Sequence, residues 1–260
     1  MVDTPNPFHS PPKDASERAP TLGPNPHYQR NAIVTLAVIP IVGFFFLLSL
    51  WSFIQNPRPE ATKYQDRHNL KQIALGLHNY LDTYGKLPPA CVTDSDGKPL
   101  YSWRVLILPM VGEGALHKQF DLTQAWDSPV NLPLVRQMPD LFRSPNRHID
   151  GATGQTPYQA LVDESGSRTL IKHTTARSLA TVGDGTSNTA MLIANNQDPV
   201  CWTEPNDTDP AKFLRRFRPS EHEGEVAIAY GDGSAQGLGE NLRIVLPAAM
   251  YANDGKVPQR

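Results

Sequence analysis

Residues Asn69–Ala90 read NLKQIALGLHNYLDTYGKLPPA, and the fold turns on this stretch. Leu70, Ile73, Ala74, Leu77, Tyr80, Leu81 and Tyr84 recur at steps of three and four, which puts an apolar stripe along one side of a helix. Lys71, Gln72, Asn79 and Asp82 fall on the opposite side. Gly85 offers the left-handed conformation that ends a helix, and Pro88–Pro89 forbid its resumption. The helix is expected from about Pro59 to Tyr84, with its Leu70/Ile73/Leu77/Leu81 stripe buried against a sheet.

Upstream, Ala32 to Ile54 reads AIVTLAVIPIVGFFFLLSLWSFI without a charged residue. About 23 helical residues rise roughly 34 Å, enough to cross a hydrocarbon core of about 30 Å. A cleaved signal peptide would have a shorter apolar core followed by a small-x-small site, and neither is present. Residues 32–54 are therefore expected to be a transmembrane helix, with the lipid bilayer as partner and Trp51 near one interface. Lys13, Arg18 and Arg30 on one side, against Arg58, Lys63, Arg67 and Lys71 on the other, give no orientation. Residues 1–31 carry Pro5, Pro7, Pro11, Pro12, Pro20, Pro24 and Pro26 and read as a disordered tail. Pro57 and Pro59 mark a break near 56–59. Residues 57–260 suffice for one globular domain.

The 260 residues carry a formal net charge of −2. That balance advertises no nucleic-acid surface. Cys91 and Cys201 fit no zinc spacing. Two free buried thiols are the preferred reading, with a bridge as the alternative in an oxidising compartment.

Residues 86–100 read as a loop containing the turn Asp94-Ser95-Asp96-Gly97. Asp94 and Asp96 faintly resemble a calcium loop that lacks its downstream glutamate. Trp103–Phe120 is expected to be a helix weakened by Pro109, Gly112 and Gly114. Ser128 as N-cap and Pro129 as first residue predict a short helix over about 129–138. YQALVDE (158–164), RSLATV (177–182), NTAMLIAN (188–195) and EVAIAYG (225–231) read as strands. Asp232-Gly233 is expected to join 225–230 and 234–238 in a hairpin, and Asp184-Gly185 resembles it. A cation at Asp184 or Asp232 lacks companions at ligand spacing.

Catalytic candidates are few. His222, in Ser220–Glu225, lacks the second histidine of a zinc helix. His78 has no histidine four residues away. Ser187 does not sit in Gly-x-Ser-x-Gly. No phosphate loop occurs. Trp103, Arg104 and Trp126 suit a binding pocket, but large aromatics more often supply core. No catalytic, cofactor-binding or metal residue is assigned, and no enzymatic activity or cofactor is expected.

In order along the chain stand Asn69–Ile73 with Leu77-His78-Asn79-Tyr80 and Leu87-Pro88-Pro89; Ser102–Val105 with Leu108-Pro109; Phe120-Asp121-Leu122 with Trp126–Pro129; Asp184–Thr189; Trp202–Pro205; and Gly231–Ser234. Together these blocks resemble a large bacterial family of membrane-anchored, pilin-like proteins, domain of unknown function 1559, over about Tyr64 to Val257. The resemblance implies an α+β, pilin or type II secretion pseudopilin-like fold: a spine helix, its first half in the membrane, under an antiparallel sheet. It implies a single-pass protein of the inner membrane, its C-terminal domain outside the cytoplasm and facing possible protein partners at the cell envelope. The family carries no established catalytic residues. This chain departs from it at Asn31–Leu36, where no prepilin cleavage motif and no glutamate stand. Retention of the tail and the absence of filament assembly are therefore expected. A structural or interaction role leads, followed by an anchored ligand-binding or sensor domain and then an anchored hydrolase.

Overall fold

The computed structural model describes residues 42–49, 59–146, 148–163, 165, 168–218 and 225–256. The chain divides into two compact units, Met1–Asn56 and Pro57–Arg260. In the first, residues 42–49 are helical, with Phe44, Phe45, Phe46 and Leu47 exposed. The tail expected over 1–31, the break at 56–58 and the rest of the 32–54 span lie outside the described residues. Among the described residues no helix is long and apolar enough to cross a membrane.

The second unit is α+β with antiparallel sheets. Its helices are α1 (Pro59–Tyr84), α2 (Trp103–Leu106), α3 (Gly114–His117), α4 (Pro210–Arg216) and α5 (Leu242–Ala249). Its strands are β1 (Cys91–Thr93), β2 (Pro99–Ser102), β3 (Gln155–Thr156), β4 (Tyr158–Ala160), β5 (Ala190–Ala194), β6 (Val200–Cys201), β7 (Val226–Tyr230) and β8 (Ala235–Leu238). The main sheet runs β4-β5-β7-β8, while β1-β2 and β3-β6 form two small ribbons.

The main sheet is the middle of three layers, and side-chain alternation along β7 sets them. Ala227 and Ala229 join the core that contains Leu70, Ile73 and Leu77 of α1. Val226, Ile228 and Tyr230 face the other way, into a second core with Phe213 and Phe217 from the α4 side and Leu242 and Leu246 of α5. Small alanines on the α1 side let a long helix lie close over β5, β7 and β8. Leu70, Ile73, Ala74 and Leu77 are inaccessible to solvent as their spacing predicts, while Tyr80 and Leu81 are only half-buried and Tyr84 at the end of the stripe is exposed. Gly85 takes φ +74°, and its N–H donates to Leu81 O at 2.7 Å, closing the helix.

Several local expectations are corrected. Residues 86–100 are not all loop, because β1 and β2 pair in a hairpin with Cys91 opposite Ser102. Asp94 Oδ1 accepts from Asp96 N and Lys98 N and closes that turn. Trp103–Phe120 is three short pieces: α2, a 3-10 turn at Leu108–Val111, and α3. Pro109 sits in the first turn of the 3-10 piece, and Gly112, at φ +87°, ends it. The 129–138 helix is instead a 3-10 turn, Leu132–Gln137, with Pro133 near its start. Residues 177–182 form no strand: a 3-10 turn covers Leu179–Thr181, and Arg177 makes one bridge to Leu87. The Asp232-Gly233 hairpin forms, with Gly233 at φ +83° and β7 antiparallel to β8.

Candidate functional site

The motif block Ser102–Val105 supplies one half of a buried ion pair, Arg104 with Asp207. Ser102 caps α2, its Oγ accepting from Arg104 N at 3.3 Å and from Arg104 Nη1 at 2.7 Å. Arg104 is fully buried, so each guanidinium nitrogen needs an acceptor. Nε donates to Tyr158 O at 2.9 Å and Nη2 to Asp207 Oδ1 at 2.7 Å. The same carboxylate oxygen accepts from Ala160 N at 2.7 Å and Trp103 Nε1 at 3.2 Å. Burial pulls the Arg104 pKa down and pushes the Asp207 carboxyl up, and their attraction opposes both shifts. Asp207 Oδ2 is buried without a partner.

Asp207 and Thr208 lie in an extended segment beside β4, where Thr208 N donates to Ala160 O and Val162 N to Thr208 O. Successive side chains of such a segment point to opposite faces. Asp207 reaches Arg104 on the α1 side. Thr208 reaches across the α4 side, where it joins Gln159 and Asn195. Asn195 Nδ2 donates to Thr208 Oγ1 at 3.0 Å, Thr208 Oγ1 to Gln159 Oε1 at 2.7 Å, and Gln159 Nε2 to Asp198 O at 2.6 Å.

This ladder floors a cleft of about 490 Å³, also lined by Asp198, Lys212 and Arg216. Asp209 Oδ1 caps α4 by accepting from Lys212 N at 2.7 Å, with Pro210 at the first helical position. At the rim, exposed Arg216 and Asp198 stand 4.0 Å apart. The lining offers amides, the Thr208 hydroxyl, carboxylates and the cations Lys212, Arg216 and Arg218, all groups able to hydrogen-bond a ligand.

Several of the other singled-out residues hold local structure together. Asn131 ties the third block, donating to Asp121 O, Gln124 O and Ala125 O while accepting from Asp121 N. Trp103 opens α2 in the core, and Trp126 packs half-buried against it. In the Asp184–Thr189 loop, Asn188 Nδ2 donates to Asp184 O at 2.9 Å, while Asp184 Oδ2 accepts from Asp254 N at 2.8 Å. His78 Nε2 is buried without a partner, near Gly233. Among the described residues no cluster of three histidine, cysteine or acidic side chains could hold a metal. Cys91 and Cys201 are free and buried. His222 lies outside the described residues.

Gln159, Asn195, Asp207 and Thr208 are not visible as a site in the sequence. One signal does stand near them: Asp209-Pro210 is the N-cap and first-residue pattern of a helix start.

The family model for a protein of unknown function, DUF1559, matches residues 55–212, more than half of the chain. No curated protein and no solved structure matches it. The match covers the ordered blocks through Trp202–Pro205 and not Gly231–Ser234, and the chain belongs to the DUF1559 family.

Proposed function

We propose that the protein is a membrane-anchored, pilin- or pseudopilin-like structural or interaction protein, held in the inner membrane by residues 32–54 with 57–260 outside the cytoplasm. The observation that carries this reading is α1: a helix of 26 residues whose apolar stripe lies under an antiparallel sheet and which follows closely behind an uncharged apolar run. A helix that is buried along one stripe and follows an anchor in sequence tethers its domain to the bilayer. The apolar run lacks the cleavage motif and glutamate of filament subunits, so the protein retains its tail and acts as a monomer or small assembly. Protease added to intact spheroplasts is expected to digest 57–260 and spare the tail; protection of the domain would reverse the topology. A mature N-terminus between Gly23 and Thr35, read by intact mass, would return the protein to the pilin pathway.

The cleft supports a second reading, an anchored ligand-binding domain. Its basis is Asn195 Oδ1, a buried acceptor without a donor in a residue that lines the cleft.

A further inference from the structure

We infer that the cleft between the β4–β5 face and α4 binds a small neutral polyhydroxylated ligand, of the monosaccharide or disaccharide class. This inference rests on the ligand-binding reading and names its chemistry. The ladder is directional. A threonine hydroxyl has one proton, and Thr208 gives it to Gln159 Oε1 at 2.7 Å. Thr208 therefore accepts from Asn195, which fixes the amide with Nδ2 toward Thr208 at 3.0 Å and the oxygen away from it. That oxygen has no donor, although Asn195 is only 5% exposed. An acceptor left unpaired is costly, and a ligand donor that reaches it as the side chains lining the cleft adjust recovers the loss.

The surroundings decide which donor. Asp198 stands beside Arg216, and Asp209 lines the cleft with Lys212, so neither sign of charge prevails. Asp207, already paired with Arg104, and Arg218 keep that balance, and the rest of the polar lining is amide and hydroxyl, groups that both donate and accept. Val200 and Phe213 add apolar surface for the ligand's C–H faces. A cluster of hydroxyls on a small ring matches all three features. The volume of about 490 Å³ admits one or two such rings.

The test uses the full chain in a detergent without a sugar headgroup. Saturation-transfer NMR and thermal shift are recorded with glucose, galactose, N-acetylglucosamine, maltose and cellobiose, and separately with glycine and inorganic phosphate. At least one saccharide is expected to bind saturably and raise the melting temperature. Asn195→Leu is expected to weaken it at least about tenfold. Lys212→Trp, at an exposed rim position, blocks the cleft without touching the core and decides the matter if Asn195→Leu fails to fold. Saccharide binding that survives Lys212→Trp overturns the assignment to this cleft. Binding of glycine or phosphate alone, lost in Lys212→Trp, overturns the saccharide class and leaves the ligand-binding reading standing. Binding of no probe overturns both.

Discussion

Arg104 and Asp207, separated by 103 positions in sequence, share a 2.7 Å hydrogen bond in the interior, and Trp103 and the β4 backbone donate to the same carboxylate oxygen. Such a pair tolerates loss of both partners better than loss of one, because a single deletion strands a buried charge. Arg104→Met alone or Asp207→Leu alone should therefore cost about 3–5 kcal/mol. The double variant should lose clearly less than the sum. Urea unfolding of the four proteins, treated as a double-mutant cycle, measures the coupling, and strict additivity would show the pair to be inert.

The two sides of α1 make a second comparison. Leu77 is inaccessible and Leu75 is 52% exposed, two positions away on the same helix. Leu77→Asp buries an unpaired carboxylate in the core and should unfold the domain. Leu75→Asp should stay within about 0.5 kcal/mol of wild type. Circular dichroism melts separate the two, and equal melting temperatures would overturn the assignment of the buried stripe.

Acid stability should carry the signature of Asp163. Burial alone would raise its pKa, but bonds from the Ser165 hydroxyl, from the Arg168 N–H and guanidinium and from the Thr169 N–H outweigh that and hold it at about 2. The folded value lies below the unfolded value of 3.8, so the contribution is fully present above that pH and is lost as pH falls through about 2. A shift of nearly two units corresponds to about 2.5 kcal/mol. Asp163→Asn should be less stable at neutral pH, and its denaturant midpoint should fall less steeply than wild type between pH 4 and pH 2, a window bounded by the unfolded and folded values.

Gly154 is a test of close packing. It takes φ +82°, and a Cβ there would stand 2.5 Å from Val135 Cγ1 and 3.0 Å from Val135 O. Gly154→Ala combines left-handed strain with overlap and should cost about 2–4 kcal/mol. Gly114→Ala, in open space without positive φ, is the matched control and should be neutral or slightly stabilising by urea titration.

What could be read in the sequence was local. The Leu70/Ile73/Leu77 spacing and Gly85 place α1 and its end, and Asp232-Gly233 places the β7–β8 hairpin, because period and turn chemistry act within a few residues. Trp103–Phe120 failed as one helix because Pro109 and the left-handed Gly112 outweigh its apolar run. The β1–β2 hairpin is hidden in the sequence because β1 has only three residues and β2 four, although the Asp94–Gly97 turn between them is legible. The Asn195–Thr208–Gln159 ladder and Asp207 left no trace because their partners lie 13 to 103 positions away. Contacts of that kind have no periodicity to betray them.

The match to the family stops at Lys212, yet the main sheet does not. β7 and β8 come from Val226–Tyr230 and Ala235–Leu238, and β7 lies between β5 and β8. A polypeptide ending where the similarity ends would lose half the strands of that sheet. It would leave the N–H and C=O groups along one side of β5 bare and deprive α1 of the alanine surface beneath it. Such an open edge pairs with whatever strand it meets. The recognisable portion of this chain is thus not expected to fold on its own: cut free of the less conspicuous segment that follows Lys212, it should emerge as insoluble aggregate.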